Sequence, residues 1–307
     1  MMYKLTRRKL LKQARQAGGV IAVGASLESL LVACGGNIST TSNAPGATSV
    51  ASKGLLVPDK LQWGADFTSG APYVFKDPAN PNNLVGFEVE VANAIAKLMG
   101  ITQHQVETDY NKLEAALQAN QFDMIMNGWE ITEDRKKTEL FSVPYYHYGQ
   151  QTVVRKDDER FAKFNDTSDV SLTDLEGYTV GTGAGYKAAD ILGTDTKIKT
   201  KLYDTDLPFD DLAQKKIDTV LIDQPAVAYY VLGAGPGGTK NPDLRPIGKP
   251  FKADDYVVGF NKQNPNAQTL LNEINQAFDI LKKDGTLHRI YVKWSMWNDL
   301  QAQIGIV

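Results

Sequence analysis

One cysteine in 307 residues, Cys34, excludes an internal disulfide. Only three histidines occur, His104, His147 and His288, far apart and without ligand spacing. That scarcity argues against zinc chemistry and against a histidine-based triad, so no metal and no cofactor is expected. Long hydrophobic runs are also missing: the most apolar stretch, GGVIAVGASLESLLVA, is short, rich in Gly and Ser, and carries Glu28, too little to span a bilayer stably. Positive charge is outnumbered by negative beyond the first 33 residues. Those hold Lys4, Arg7, Arg8, Lys9, Lys12 and Arg15 against Glu28, a net of +5, so the rest carries −8 of the chain's formal −3. An acidic body excludes nucleic acid as the expected partner, because phosphate neutralisation needs clustered Lys and Arg. What is present, 42% apolar and 22% charged residues, suits a soluble globular protein long enough for two domains.

The basic n-region MMYKLTRRKLLKQARQ, the short apolar core and the small residues before Cys34 read as an export signal over 1–33. Leu31-Val32-Ala33-Cys34 resembles a bacterial lipobox, which implies lipidation of Cys34 and a membrane anchor on the outer (periplasmic or extracellular) face of the cell membrane. Thr6-Arg7-Arg8-Lys9-Leu10-Leu11-Lys12 resembles the twin-arginine export consensus, with an ordinary basic n-region as the alternative. Residues 34–55 are small and polar and read as a flexible tether.

From Leu56 onward strand and helix patterns alternate, which predicts an α/β fold. Strands are expected at 61–65, 122–126, 151–154, 178–180, 219–222 and 256–260. Helices are expected at 89–99, 111–119 and 186–192, around Leu271, Ile274, Phe278 and Leu281, and around Ile290, Val292 and Trp294. The stretch Tyr110–Arg135 is the most informative. A helix leads to an apolar strand that ends at Asn127-Gly128-Trp129-Glu130, and a second helix then begins near Arg135. Open α/β sheets bind ligands at the carboxyl ends of their strands. A carbonyl, a carboxylate, an indole and a guanidinium at that place suit a ligand carrying both charges.

The segment GFEVEVANAIAKLM, Gly86–Met99, resembles the signature of the polar amino-acid-binding proteins of bacterial ABC importers, extracellular solute-binding protein family 3. ITEDRKK (131–137), Asp223-Gln224-Pro225 and DGTLHRIYVKW (284–294) are similar to family counterparts in order and spacing, and the likeness covers most of 61–297. The resemblance implies a two-lobed periplasmic-binding-protein type II fold with two crossover hinge strands. It implies lobe 1 over 56–150 and 251–307, lobe 2 over 151–250, and a monomer that captures an amino acid by hinge closure and delivers it to a permease with its ATPase. By the same resemblance Arg135 takes the ligand's α-carboxylate together with the backbone N–H groups of Gly183, Ala184 and Gly185. Asp223 and the Gly128 carbonyl take the ammonium, and Tyr110 stacks on the side chain.

The chain departs from the family pattern at two places. Glu130 stands where the family has Ser or Thr, and the turn Asp66–Pro72 lacks the usual aromatic, for which Phe67, Tyr73 and Trp129 are the substitutes. A pocket holding Asp66, Glu130 and Asp223 against Arg135, with Trp129 near, favours a basic or otherwise amine-bearing amino acid. Glutamine or another polar amino acid is the alternative if Glu130 serves only the ammonium. Two other roles stay open, a sensor that presents closed lobes to a receptor, and a dehydratase of cyclic carboxylates with Glu130 as general acid. The expectation is a binding protein, not an enzyme.

Overall fold

The computed structural model describes residues 49–68, 70–204 and 207–307. The export signal, Cys34 and the start of the tether lie outside them. Among the described residues no helix is long and apolar enough to cross a membrane.

The described chain folds around two five-stranded sheets. The first takes the strands Thr102–Glu107, Lys60–Ala65, Met124–Ile125, Gly259–Asn261 and Glu139–Phe141 in that spatial order. The first three are mutually parallel, and Gly259–Asn261 pairs antiparallel on both sides. The helix Phe87–Met99 buries Phe87, Val91, Ala92, Ile95 and Met99, and Gly100 stops it in the left-handed conformation with φ 69°. The helix Ala267–Lys283 packs beside it and buries Leu270, Leu271, Ile274, Ala277, Phe278 and Leu281. This 3.6-residue stripe is why the segment is helical and why it docks.

The second sheet takes Leu244–Tyr256, Tyr146–Arg155, Thr219–Asp223, Thr179–Gly183 and Lys199–Tyr203 in order. Its first two strands are long and antiparallel, with Arg155 opposite Leu244 at one end and Tyr146 opposite Tyr256 at the other. Val153 and Leu244 belong to the core of this second lobe, whereas Tyr146, Tyr148 and Tyr256 belong to the core of the first. These two strands are the crossovers that join the lobes.

Several elements differ from the sequence expectation. The 111–119 helix is a 3₁₀ turn, Tyr110–Lys112, followed by the helix Leu113–Gln118. The 256–260 strand is instead the end of one strand and the start of another, Gly259–Asn261. Val292, assigned to an apolar face, is 54% exposed, and Tyr291 is buried instead. The last part of the expected tether is not free: Val50 and Leu55 are buried. Lys53 N and Gly54 N donate to the Glu273 carboxylate (2.8 and 3.1 Å), and Leu56 N donates to Asp123 Oδ1 (2.6 Å). Two carboxylates more than sixty residues away hold this segment, and a local composition cannot reveal such partners.

Candidate functional site

Three strand ends converge on one cleft. Lys60–Ala65 ends before Asp66, Met124–Ile125 runs into Asn127-Gly128, and Thr219–Asp223 ends at Asp223 just before the helix Gln224–Tyr230. Asp66 N donates to Asn127 Oδ1 (2.9 Å), tying two of these ends together. The turn at Gly128 needs glycine twice over. Its φ is +58°, and a Cβ there would lie 2.9 Å from the Tyr73 ring. Its N–H donates to Glu88 Oε1 (2.7 Å) from the buried face of the first helix, and Tyr145 Oη donates to the same oxygen. Burial pushes the Glu88 carboxyl up to about 7 despite these bonds.

Glu130 is 1% exposed, and its carboxylate accepts three hydrogen bonds. Tyr148 Oη donates to Oε1 (3.0 Å), and Tyr110 Oη donates to Oε2 (3.4 Å). Arg135 Nη1 donates to Oε2 (3.2 Å) and to the Glu130 carbonyl (2.9 Å). Arg135 Nη2 reaches the Gly185 carbonyl across the lobes (3.4 Å), and the guanidinium lies 3.3 Å from the centre of the Trp129 ring. Trp129 Nε1 in turn donates to Glu139 Oε2 (2.8 Å), and burial pushes that carboxyl up to about 7. On the second lobe Asp223 Oδ2 accepts from Tyr256 Oη (2.6 Å) and Tyr73 Oη (3.5 Å), while Oδ1 accepts from Gln150 Nε2 (2.8 Å). Burial raises both Glu130 and Asp223 above the usual carboxylate range. The Asp223 charge adds to the rise at Glu130, and the hydrogen bonds oppose it at Asp223.

The cavity left between these walls is about 30 Å³, room for a water or two, so a ligand of amino-acid size enters only when the walls part. Asp66, Tyr73, Tyr110, Gly128 and Glu130 wall it from the first lobe, and Tyr186, Leu207, Ile222, Asp223 and Ala226 from the second. Tyr110 and Tyr186 meet edge-to-face across the lobes with ring centres 4.9 Å apart. Of the three aromatics open to replace the absent family residue, Tyr73 lines the cleft, whereas Phe67 lies outside it beneath Lys76 Nζ. Among the described residues no group of His, Cys, Asp and Glu is arranged to hold a metal.

The structure separates the expected site residues into two sets. Asp66, Tyr110, Gly128, Glu130 and Asp223 share the cleft; Trp129, Arg135, Gly183, Ala184 and Gly185 do not line it. Trp129 is buried behind Arg135, which is spent on Glu130 and Gly185. Gly183 is the last residue of a strand and lies under the Tyr186 ring, where a Cβ would be 2.7 Å away. Ala184 N donates to the Tyr203 carbonyl (2.8 Å), which takes one of the three amides expected to face a carboxylate. Tyr186 directly follows the Gly183–Gly185 loop expected at the site but is not itself among the expected residues, and no motif near Leu207 signals a cleft. Asn127, in the sequence only a residue of the turn before Gly128, also lines the cleft.

Residues 64–296 match the family model described as bacterial extracellular solute-binding proteins, family 3. The L-cystine-binding protein TcyJ of Escherichia coli (strain K12) is 31% identical over 225 residues, 73% of this chain and 78% of that protein. A solved structure described as an ancestral arginine-binding protein bound to glutamine is 32% identical with a TM-score of 0.65, covering 78% of this chain and 100% of that one. The ancestral amino acid-binding protein AncCDT-1, described as a precursor of cyclohexadienyl dehydratase, is 28% identical with a TM-score of 0.62, over 77% of this chain and 95% of that one.

Proposed function

This chain belongs to the bacterial extracellular solute-binding proteins of family 3, and from that premise we propose that it captures an amine-bearing amino acid, or a close derivative of one, for an ABC importer. The observation that carries the reading is the split of the cleft's carboxylates, with Asp66 and Glu130 on one lobe and Asp223 on the other. A cation between them contacts both lobes, so its binding free energy favours the closed state over the open one. Tyr73, Tyr110 and Tyr186 add aromatic surface, on which an ammonium or guanidinium also rests favourably.

The remaining assignments follow from the same premise. Residues 1–33 are an export signal, Cys34 carries the lipid, and 34–55 is the tether, whose last residues from Val50 pack against the body. The lobes are 56–150 with 251–307, and 151–250. The body is a monomer on the outer face of the cell membrane, and its partners are a permease and its ATPase. The role is binding and not catalysis: Glu130, the one candidate acid, is engaged by Arg135, Tyr148 and Tyr110. A dehydratase reading rests on the likeness to a dehydratase precursor alone.

Calorimetric titration of the purified protein with arginine, lysine, histidine, glutamine and glutamate tests the proposal. The basic members should bind tightest. Tighter binding of glutamate than of all three basic amino acids would overturn it.

A further inference from the structure

The lobes touch one another directly as well as across the cleft. Tyr110 of the first meets Tyr186 of the second, and Tyr229 of the second packs edge-to-face on Phe75 of the first with ring centres 5.4 Å apart. Among the described residues, and on the lobe bounds given above, a single ion pair spans the same gap: Lys187 Nζ lies 3.0 Å from Asp254 Oδ2. The same ammonium donates to the Ile131 carbonyl (3.3 Å). Lys187 opens the helix Lys187–Gly193 of the second lobe, whereas Ile131 and Asp254 both belong to the first, Asp254 near the end of the crossover strand Leu244–Tyr256. Asp255 N donates to the other Asp254 oxygen (2.8 Å) and holds that carboxylate in place. None of the three residues lines the cleft. Lys187 nevertheless follows Tyr186 and Ile131 follows Glu130, so this contact fastens together the chain on which two facing cleft walls are built.

Resting on the proposed capture of an amino acid by lobe closure, we propose that Lys187 is a positioning residue for that capture: its ammonium latches the second lobe to the Ile131 carbonyl and to Asp254 on the first, and so sets how long a ligand stays enclosed. An ion pair at a surface contributes little to a fold, because water and salt screen it. This one acts on a different balance. Both of its bonds cross from one lobe to the other, so they exist while the lobes are together and break when the walls part. Their whole free energy therefore biases closed against open. The side chains are 24% and 29% exposed, so screening is only partial. The cavity of about 30 Å³ gives an amino acid no way out unless the lobes separate, and separation breaks both bonds. A contact outside the cleft that forms after the ligand has entered slows departure and leaves encounter unchanged.

Stopped-flow kinetics on the full chain, with whichever of arginine, lysine, histidine, glutamine and glutamate binds tightest, compare wild type with Lys187→Met, which keeps the aliphatic stem and removes the ammonium. Dissociation should quicken roughly fivefold or more, and association should not slow. Asp254→Asn should quicken dissociation less, because the Ile131 bond survives, and adding it to Lys187→Met should change little further, the mark of a shared interaction. A merely structural role moves no such pattern. Hydrogen exchange of the ligand-free protein supplies a reading that needs no ligand: segments 128–135 and 183–190 should exchange faster in Lys187→Met, while the helix Ala267–Lys283 does not. Dissociation and exchange both within about twofold of wild type overturn the latch and leave the proposed capture standing. Slower association with unchanged dissociation also overturns it, by placing Lys187 at ligand entry. If no amino acid of the panel binds, the proposed function fails, and exchange alone decides the latch: faster at both segments upholds it, unchanged overturns it. Should Lys187→Met not fold, Asp254→Asn carries both comparisons by the same criteria.

Discussion

Replacing Asp223 by Asn changes charge and almost nothing else, so it isolates what that carboxylate does. The side chain is 7% exposed and already accepts from Tyr256, Tyr73 and Gln150. An amide keeps the Gln150 bond through its oxygen and turns its nitrogen toward the two tyrosine hydroxyls, which accept as well as donate. Removing one partner of a buried ion pair costs about 3 kcal/mol, roughly 150-fold in affinity for a cationic ligand. Stability should move the other way. Burial holds the folded carboxyl above its unfolded value of 3.8, so its contribution to stability is present at low pH and is lost as pH rises through the folded value. Asn suffers no such loss. The ligand-free variant should therefore melt at or above the wild-type temperature at pH 8 and gain nothing at pH 4. Calorimetry with the tightest cation and thermal melts at the two pH values read both effects. Binding within threefold of wild type would refute the ion pair, and a melt well below wild type at pH 8 would mean that the charge holds the fold.

Three further outcomes follow from the same geometry. Glu88 is fully buried with its carboxyl raised from 4.5 to about 7, so wild-type unfolding free energy should decline as pH rises from 5 to 8, by up to ~3 kcal/mol from this group. Glu88→Gln should flatten that slope in urea titrations, and an unchanged slope means that another group causes it. Tyr186→Ala removes the edge-to-face contact with Tyr110 and part of the cleft wall; ligand should leave faster and affinity fall about tenfold, by stopped-flow, with a Tm change of only a few degrees. Gly86→Ala puts a Cβ 1.9 Å from the Tyr73 carbonyl at a φ of +144°, and denaturant unfolding should show a loss of roughly 3 kcal/mol or more; a loss below ~1 kcal/mol would show that the Tyr73 turn yields freely.

Local chemistry made much of the molecule legible. Apolar spacing marks the helix Phe87–Met99, Gly100 ends it, and the same periodicity marks Ala267–Lys283. The strand-end rule brings attention to Asp66, Gly128, Glu130 and Asp223, because each follows or ends an apolar run, and the structure gathers all four at one cleft. These are short-range signals, written within a dozen residues. Edge strands carry no such signal: Thr102–Glu107 has no buried residue, and Lys199–Tyr203 lies at the margin of its sheet. Partner choice is longer-ranged still. Whether Arg135 serves a ligand or Glu130, whether the Ala184 amide faces a cleft or Tyr203, and whether residues 50–56 hang free or bind Glu273 and Asp123 depends on which groups burial leaves unpaired. Composition and period therefore determined the class of fold and the acidic character of the site. Only the packed lobes decided which charges remain available to a ligand, because a buried ion takes the nearest compensating partner, whatever its distance along the chain.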